Sequence, residues 1–385
     1  MHVAFDISQT GKGKAGCGYY AHALIQSLIE ITPRNLYSLL PSFGDFYFDP
    51  SMPLLSPYLG RRLRYGPKHL SYSASKNFWN HPDVEVLLKR PDIVHSNNFW
   101  CPTQLSSSRL IYTLYDLGFA FNPNWTSETN RVGCFDGVFR ASIKSDWIVA
   151  ISEFSRSHYL NLFPHFPQSR IRVIYPCSRF TDIKLKGIRP KDAEMLLSEN
   201  FWLSVGTIEP RKNYDKLIHA YARYLSLGGN PIPLVIAGGN GWLMNDFVHR
   251  IDDLGLKNHI KILGYVSDEN LIWLYSNCYA NLYPSLFEGF GLPVLEGMQF
   301  GSPVLASNSS SIPEVAGDAA ILLPPESIED WAQAMLKLAK NTAMRARLSD
   351  ASMAQSKNFS WRKSAESLLN LYEEAIATPK KCLPE

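Results

Sequence analysis

The sequence of 385 residues is short of several things, and each shortage excludes a class of protein. Its six cysteines (Cys17, Cys101, Cys134, Cys177, Cys278, Cys382) lie far apart and form no CxxC pair. That excludes a zinc ribbon and a dense disulfide framework, and it fits reduced thiols in the cytoplasm. No run of about 18 apolar residues occurs, so no membrane-spanning segment is expected. Met1–Ile7 lacks a basic leader, a long apolar stretch and a small-residue cleavage site, and it reads as a first strand rather than a signal peptide. Gly (24) and Pro (25) are too few for collagen, and 45% hydrophobic residues exclude a mostly disordered chain. The net charge is small too, +3 from 38 Lys+Arg against 35 Asp+Glu. Residues 1–185 carry 19 Lys+Arg against 13 Asp+Glu, while residues 186–385 carry 19 against 22. A modest basic excess in the front half suits a phosphorylated ligand or an anionic membrane face, but it is too diffuse for nucleic acid.

What the sequence does have is alternation. Short apolar runs, each followed by small or polar residues and then a helix-like stretch, recur in both halves. In front they are Val3–Ile7, Tyr37–Leu40, Ile93–His95, Leu110–Leu114, Trp147–Ile151 and Arg172–Tyr175. Behind, they are Phe201–Val205, Leu234–Ala237, Ile260–Leu263, Ala280–Tyr283, Pro303–Ala306 and Ala320–Leu323. Runs apolar on both faces that alternate with helices predict parallel sheets covered on both sides, hence two doubly wound, Rossmann-like α/β domains facing across a cleft. The first is expected over 1–185 and the second over 186–360, with Ser178–Asn200 as a sparse connection between them. Ligands of such sheets sit beyond the carboxyl ends of the strands, so candidate residues are sought there.

After the first run stands Gly11-Lys12-Gly13-Lys14-Ala15-Gly16-Cys17-Gly18. Its letters satisfy GxGxxG, but three residues separate it from the strand and no acid ends the second strand, against a dinucleotide site. Cys17 stands where a Walker loop needs Lys. A glycine turn into a helix remains, either as an anion contact or as a plain tight turn. The second half opens with Gly206-Thr207-Ile208-Glu209-Pro210-Arg211-Lys212-Asn213, whose adjacent cations suit a diphosphate. Gly238 and Gly239 end the next strand and let another group approach the backbone. The strongest pattern is Glu288-Gly289-Phe290-Gly291-Leu292-Pro293-Val294-Leu295-Glu296. Pro293 reads as the first helical position, placing Glu296 in the first turn and Glu288 in the preceding loop, with a helix-terminus anion site between them. A glycosidase dyad needs carboxyls about 5–5.5 Å apart, whereas eight helical residues rise about 12 Å. The pattern better fits an elongated ligand with hydroxyls at both ends of a diphosphate.

Glu288 to Glu296 resembles the E-x7-E pattern of retaining GT-B glycosyltransferases of family 4. Gly206–Asn213, Gly301–Asn308, Gly16-Cys17-Gly18-Tyr19, Ser152-Glu153-Phe154-Ser155 and Pro313-Glu314-Val315 resemble companion motifs in the family's order, and the form of Gly206–Asn213 is most similar to bacterial mannosyltransferases of surface-polysaccharide and O-antigen assembly. The resemblance implies a nucleotide-sugar donor, with GDP-mannose the best single candidate, and a saccharide or lipid-linked saccharide acceptor. It implies that Glu296 binds the ribose and Glu288 the sugar. Backbone at Phe290, Gly291 and Leu292 would contact sugar and phosphate, and Arg211 and Lys212 would neutralise the diphosphate. Backbone near Tyr265 and Val266 would read the base. Gly16 and Gly18 would approach the phosphates, and Gly206, Thr207 and Gly239 would complete the donor site. No metal is needed by such enzymes, and no DxD pair is present. A terminal helix over about 361–377 would pack back on the first domain.

Two departures stand out. Thr207 replaces the usual Arg, and Tyr115-Asp116 replaces His-Asp, leaving Asp116 either to orient acceptor or sugar or to act as a satisfied loop acid. Arg61-Arg62-Leu63-Arg64-Tyr65 with Lys68 reads either as a face toward anionic lipid, giving a peripheral position on the inner membrane, or as a solvated surface. Asn97-Asn98-Phe99-Trp100 and Trp125 suit either saccharide or packing, and His95 either a cleft or the core. Ser152 reads as a helix cap. Competing functions are a UDP-sugar transferase, a nucleotide-sugar 2-epimerase, a non-catalytic nucleotide-sugar sensor and, furthest, an NAD dehydrogenase.

Overall fold

The computed structural model describes residues 1–10, 16–40, 62–66, 72–97, 101–180, 186–193, 201–239, 241 and 246–381. Gly11–Ala15, Arg61, Lys68 and Asn98–Trp100, named above, lie outside the described residues. The chain divides into two compact units, one formed by 1–123, 127–179 and 360–385, the other by 124–126 and 180–359.

The first unit holds seven parallel strands, β1 His2–Asp6, β2 Leu36–Leu40, β3 Leu63–Tyr65, β4 Ile93–Ser96, β5 Arg109–Leu114, β6 Trp147–Ala150 and β7 Ile171–Val173, in the order β3-β2-β1-β4-β5-β6-β7. The second holds six, β8 Trp202–Val205, β9 Leu234–Ala237, β10 Ile260–Gly264, β11 Ala280–Tyr283, β12 Val304–Ser307 and β13 Ala320–Leu323, in the order β10-β9-β8-β11-β12-β13. Both are doubly wound sheets. The winding direction reverses between β1 and β4 and again between β8 and β11, the switch point at which sheets of this kind bind their ligands. Every residue of β4, β6, β8, β9, β11 and β12 is buried, which is why these strands are mostly apolar on both faces, with His95, Ser96, Ser204, Asn281 and Ser307 as their buried polar members. Leu63–Tyr65, inside the basic stretch named above, forms the edge strand of the first sheet, with Arg62 and Arg64 exposed. Three residues with an exposed arginine in the middle carry too little pattern to read as a strand.

In the second unit the helices Tyr214–Ser226 and Ile328–Ala339 pack on one another and share an aromatic core with Trp202, Trp331, Tyr221 and Tyr224. The buried tyrosine hydroxyls find backbone acceptors, Ile232 for Tyr221 and Asn230 for Tyr224, both at 2.8 Å. In the first unit the helix Trp361–Ala377 lies along Gly16–Ile31. Trp361 Nε1 donates to the Ser178 carbonyl at 3.0 Å, and Arg109 Nε to that of Ala375 at 2.9 Å. Among the described residues no helix is long and apolar enough to cross a membrane. Burial pushes the thiols of Cys101, Cys134 and Cys278 up to about 12, so they are inert packing groups.

His95 belongs to the core. It is fully buried, with Nδ1 2.5 Å from the Tyr372 hydroxyl and Nε2 2.8 Å from Thr113 Oγ1. Thr113 donates its proton to Asn97 Oδ1 at 2.6 Å, so Nε2 carries the imidazole proton and Nδ1 accepts from Tyr372. Burial pushes the imidazole down from 6.5 to about 3. Between those values the unfolded chain binds the extra proton, so this group's contribution to stability is complete above pH 6.5 and is lost as pH falls toward 3. Asp6, raised by burial to about 6, works in the opposite sense and loses its contribution as pH rises through 6. Melting midpoints at pH 5, 6 and 7 are expected to lose the rising His95 component in His95→Gln, a slope of at most about 1.4 kcal/mol per pH unit. An unchanged slope would overturn the neutral-histidine assignment.

Candidate active site

The site of the second unit is built where β8 and β11 lie side by side. The loop leaving β8 enters a 3-10 turn at Pro210–Lys212, which Asn213 ends in a left-handed conformation at φ 60°. Asn213 is one of the few residues that adopts this readily, and its amide also donates to the carbonyls of Pro284 (3.1 Å) and Pro325 (2.8 Å). The turn therefore presents Arg211 and Lys212 in a fixed direction, against the segment leaving β11. Leu286 N–H donates to the Arg211 carbonyl at 2.9 Å, which ties the two loops together.

Glu288 receives both cations. Its Oε1 accepts from Lys212 Nζ at 2.6 Å, Tyr283 Oη at 2.8 Å and Ser285 Oγ at 2.5 Å, and its Oε2 lies 2.8 Å from an Arg211 guanidinium nitrogen. Arg211 also donates to the Phe287 carbonyl at 2.7 Å and to Glu209 Oε1 at 2.6 Å. Burial alone would raise the Glu288 carboxyl, but Arg211 and Lys212 outweigh it and hold it at about 2. Lys212 moves down, because burial outweighs Glu288. The cluster pairs two acids with two bases in a nearly closed setting. Such an arrangement holds charged side chains ready for a ligand that can exchange with them.

Beside Glu288 the chain turns through Gly291, at φ 103°, into the helix Leu292–Gln299. Only glycine enters this conformation cheaply, and a Cβ there would meet nothing closer than 3.7 Å, so backbone angle rather than crowding demands it. Pro293 is the second helical residue, not the first, which places Glu296 in the second turn as a correction to the sequence reading. The Gly291 and Leu292 amides precede the first intrahelical partners and face the positive end of the helix. Glu296 is buried and accepts from Tyr275 Oη at 3.1 Å. Phe290 is buried edge-on against Phe359.

The glycines after β9 have a local explanation. A Cβ on Gly238 would strike the Gly206 carbonyl, and one on Gly241 would come within 2.6 Å of the Ile208 carbonyl. Their approach partner is the neighbouring loop. Ile208 N–H donates to Gly239 O at 3.0 Å, and Gly241 N–H to Ile208 O at 3.1 Å. Gly239 itself faces open space. Tyr214 Oη donates to the Gly206 carbonyl at 2.9 Å, Thr207 is exposed and Val266 is half-buried. Tyr265 is 72% exposed.

Gly16, Gly18 and Asp116 belong to the first unit. Gly16 begins the helix Gly16–Ile31, and Gly18 is buried within it. Tyr115 is buried and donates to the Cys17 carbonyl at 3.3 Å, fastening that helix start to the end of β5. Asp116 Oδ1 accepts from Gly118 N–H at 2.9 Å, a local turn that opens the short helix Gly118–Phe121. Ser152 caps its helix by accepting from Ser155 N–H at 3.0 Å, and Trp125 is buried.

The sequence pattern of the family described as "Glycosyl transferases group 1" matches residues 190–355. O-antigen chain mannosyltransferase B of Escherichia coli is 32% identical over 286 residues, covering 73% of this chain and 74% of that protein. The chain belongs to the glycosyl transferases group 1 family. This glycosyltransferase is also similar to the serotype-specific mannosyltransferase WbdA of E. coli, 25% identical over 95% of the chain, although it spans only 47% of that relative's length. Among solved structures it is similar to sucrose-phosphate synthase of Thermosynechococcus elongatus, with a TM-score of 0.72 and 20% identity over 98% of this chain and 99% of that one. Anabaena HepE in complex with UDP-glucose gives a TM-score of 0.70 and 19% identity over 97% and 100%. These likenesses concern the fold, a two-domain α/β arrangement of the GT-B type.

Glu209, Asn213, Tyr283 and the serines around Glu288 join the candidate site and were not singled out from the sequence. Glu209 and Asn213 stood inside a quoted motif, so their signal was present. Tyr283 and Ser285 looked like the end of a buried strand.

Proposed function

We propose that this glycosyltransferase is retaining and moves a hexosyl unit, mannosyl in the first instance, from a nucleoside-diphosphate sugar to a saccharide or lipid-linked saccharide. GDP-mannose is the donor we favour, because the relatives named above are mannosyltransferases. The observation that carries the reading is the convergence of Arg211 and Lys212 on Glu288 beside the glycine-started helix. Glu288 would hold sugar hydroxyls, Glu296 the ribose, and the amides of Phe290, Gly291 and Leu292 the sugar and phosphate. Tyr265 and Val266 would offer backbone to the base. As the bond from the anomeric carbon to the phosphate oxygen breaks, the electron pair leaves with the diphosphate, and Arg211 and Lys212 meet the charge that develops there. The acceptor hydroxyl attacks from the same face and passes its proton to the departing phosphate oxygen. Fixed cations supply the electrophilic assistance, so activity is expected to survive a chelator. Asp116 would orient the acceptor or the sugar.

Screening GDP-, UDP- and ADP-hexoses for transfer and slow hydrolysis tests the reading. The expected result is turnover of GDP-mannose with the anomeric configuration kept. Preference for a UDP-sugar would overturn the donor, and failure of every nucleotide sugar to bind would overturn the reading. Interconversion of the donor sugar without acceptor would mark a 2-epimerase, and binding without turnover a sensor. Glu296→Ala is expected to raise the donor KM about tenfold with a smaller change in kcat, as loss of one charge-assisted hydrogen bond implies. An unchanged KM would remove the ribose contact.

A further inference from the structure

The end of β12 and the loop after it run Ser307-Asn308-Ser309-Ser310-Ser311, and their hydroxyls are spent on the segment that carries Glu288. Ser307 Oγ donates to the Ser285 carbonyl at 2.5 Å, and Ser309 Oγ to the carbonyls of Ser285 (3.1 Å) and Leu286 (3.0 Å). Ser310 Oγ accepts from the Glu288 N–H at 2.8 Å, while Ser311 Oγ donates to the Glu288 carbonyl at 2.9 Å. Both peptide groups flanking the Glu288 α-carbon are thus held, one by an acceptor and one by a donor.

Ser310 does this from a left-handed backbone, φ 53°. Among the described residues of the second unit, only Asn213 and Ser310 adopt this conformation without being glycine. One follows Lys212 and the other touches Glu288. Such a conformation is disfavoured for any residue with a Cβ, and glycine would relieve it. Glycine would also leave the Glu288 N–H without this acceptor.

We propose that Ser310, with Ser311, is a positioning residue for Glu288: the two hydroxyls fix the peptide planes on either side of it and so aim its carboxylate between Lys212, Arg211 and the sugar. The inference rests on the reading of Glu288 given above. Ser310 touches no reacting atom and acts only through the orientation of that acid. Small displacements of an orienting group cost rate steeply, up to about a hundredfold for 1 Å, without matching losses in binding. Loss of the hydroxyl should therefore appear in kcat.

The test compares the full-length wild type, Ser310→Gly and Ser310→Asn, measuring kcat and KM with the donor that the wild type turns over, the Kd for the free nucleoside diphosphate, and the melting midpoint. Ser310→Gly relaxes the backbone angle and removes the acceptor. It is expected to lower kcat about tenfold or more, with KM, Kd and midpoint close to wild type. Ser310→Asn tolerates the angle and offers an amide oxygen, so it should recover most of the rate. Wild-type kcat in Ser310→Gly would overturn the positioning role. So would a fall in kcat matched by loss of diphosphate binding and of the melting midpoint, since that is how a purely structural residue behaves. If the wild type moves no sugar from any nucleotide sugar, the functional reading fails and this inference with it. If it does and Ser310→Gly is unimpaired, only this inference fails.

Discussion

Replacing Glu288 with Gln is expected to slow sugar transfer by about 10²–10³ while tightening the binding of free nucleoside diphosphate about tenfold. The first number is typical for removal of one preorganised electrostatic contact in an active site. The second follows from the charges around it. Glu288 and Glu209 together offset Arg211 and Lys212, so a diphosphate reaching the two cations competes with the carboxylate already 2.6 Å from Lys212. Gln keeps the shape and removes the competing charge. At the separations found here, a unit charge in a partly solvated protein site is worth a few kcal/mol before screening, and tenfold corresponds to about 1.4 kcal/mol. The opposite signs of the two effects make the result diagnostic. A residue that only stabilises the loop would weaken both. Since Arg211 and Lys212 hold the carboxyl at about 2, the rate loss should be the same from pH 5 to 8. Wild-type kcat in the variant, or weaker diphosphate binding, would remove Glu288 from the role assigned to it.

The second large effect is expected at a residue with no chemistry of its own. Gly238→Ala puts a methyl group against the Gly206 carbonyl, well inside the 3.0 Å that real Cβ contacts respect. Neither backbone can yield freely. Gly206 is tied by its N–H to Ala237 O at 3.0 Å and by its carbonyl to Tyr214, while Gly238 N–H is tied to Gly264 O at 2.8 Å. The loop that must shift is the one that continues to Arg211 and Lys212. A cost of about 2–4 kcal/mol is expected, seen as a melting midpoint lower by roughly 5–15 °C, with turnover falling further than the melted fraction explains. Gly239→Ala is the control. Its Cβ would meet nothing within 4 Å, so its midpoint should stay within a degree or two. A wild-type midpoint in Gly238→Ala would show that the two loops are less tightly coupled than their hydrogen bonds indicate.

The residues proposed to bear the chemistry were mostly visible in the sequence, and the residues that hold them were not. Arg211 and Lys212 announced themselves as adjacent cations after an apolar run, and Glu288 and Glu296 as acids flanking a glycine-proline helix start. Nothing local said that Arg211 lies between Glu209 and Glu288, because 76 residues lie between Arg211 and Glu288 along the chain. Ser310 looked like any loop serine until its φ angle and the Glu288 N–H beside it were known. His95 was ambiguous for the same reason. A polar residue at a strand end is a cleft residue or a core residue according to what packs over it, and Tyr372 comes from a helix 277 residues away. The glycines after β9 invited a ligand reading, yet for Gly238 and Gly241 the close neighbour is a second loop of the same unit.

By itself, the sequence determined that this chain forms parallel sheets clad in helices and that cations, amides and two acids stand at particular strand ends. Periodicity and turn residues act over a few positions, and those properties need no more than that. Only the tertiary structure decided which strand ends become neighbours, and with them the pairing of charges, the burial that tunes each group and the clamps on Glu288. Those depend on the strand order, in which β8 lies against β11 across 74 residues of intervening chain. The free energy of such contacts comes from desolvation and alignment between distant segments, which no short stretch of sequence encodes.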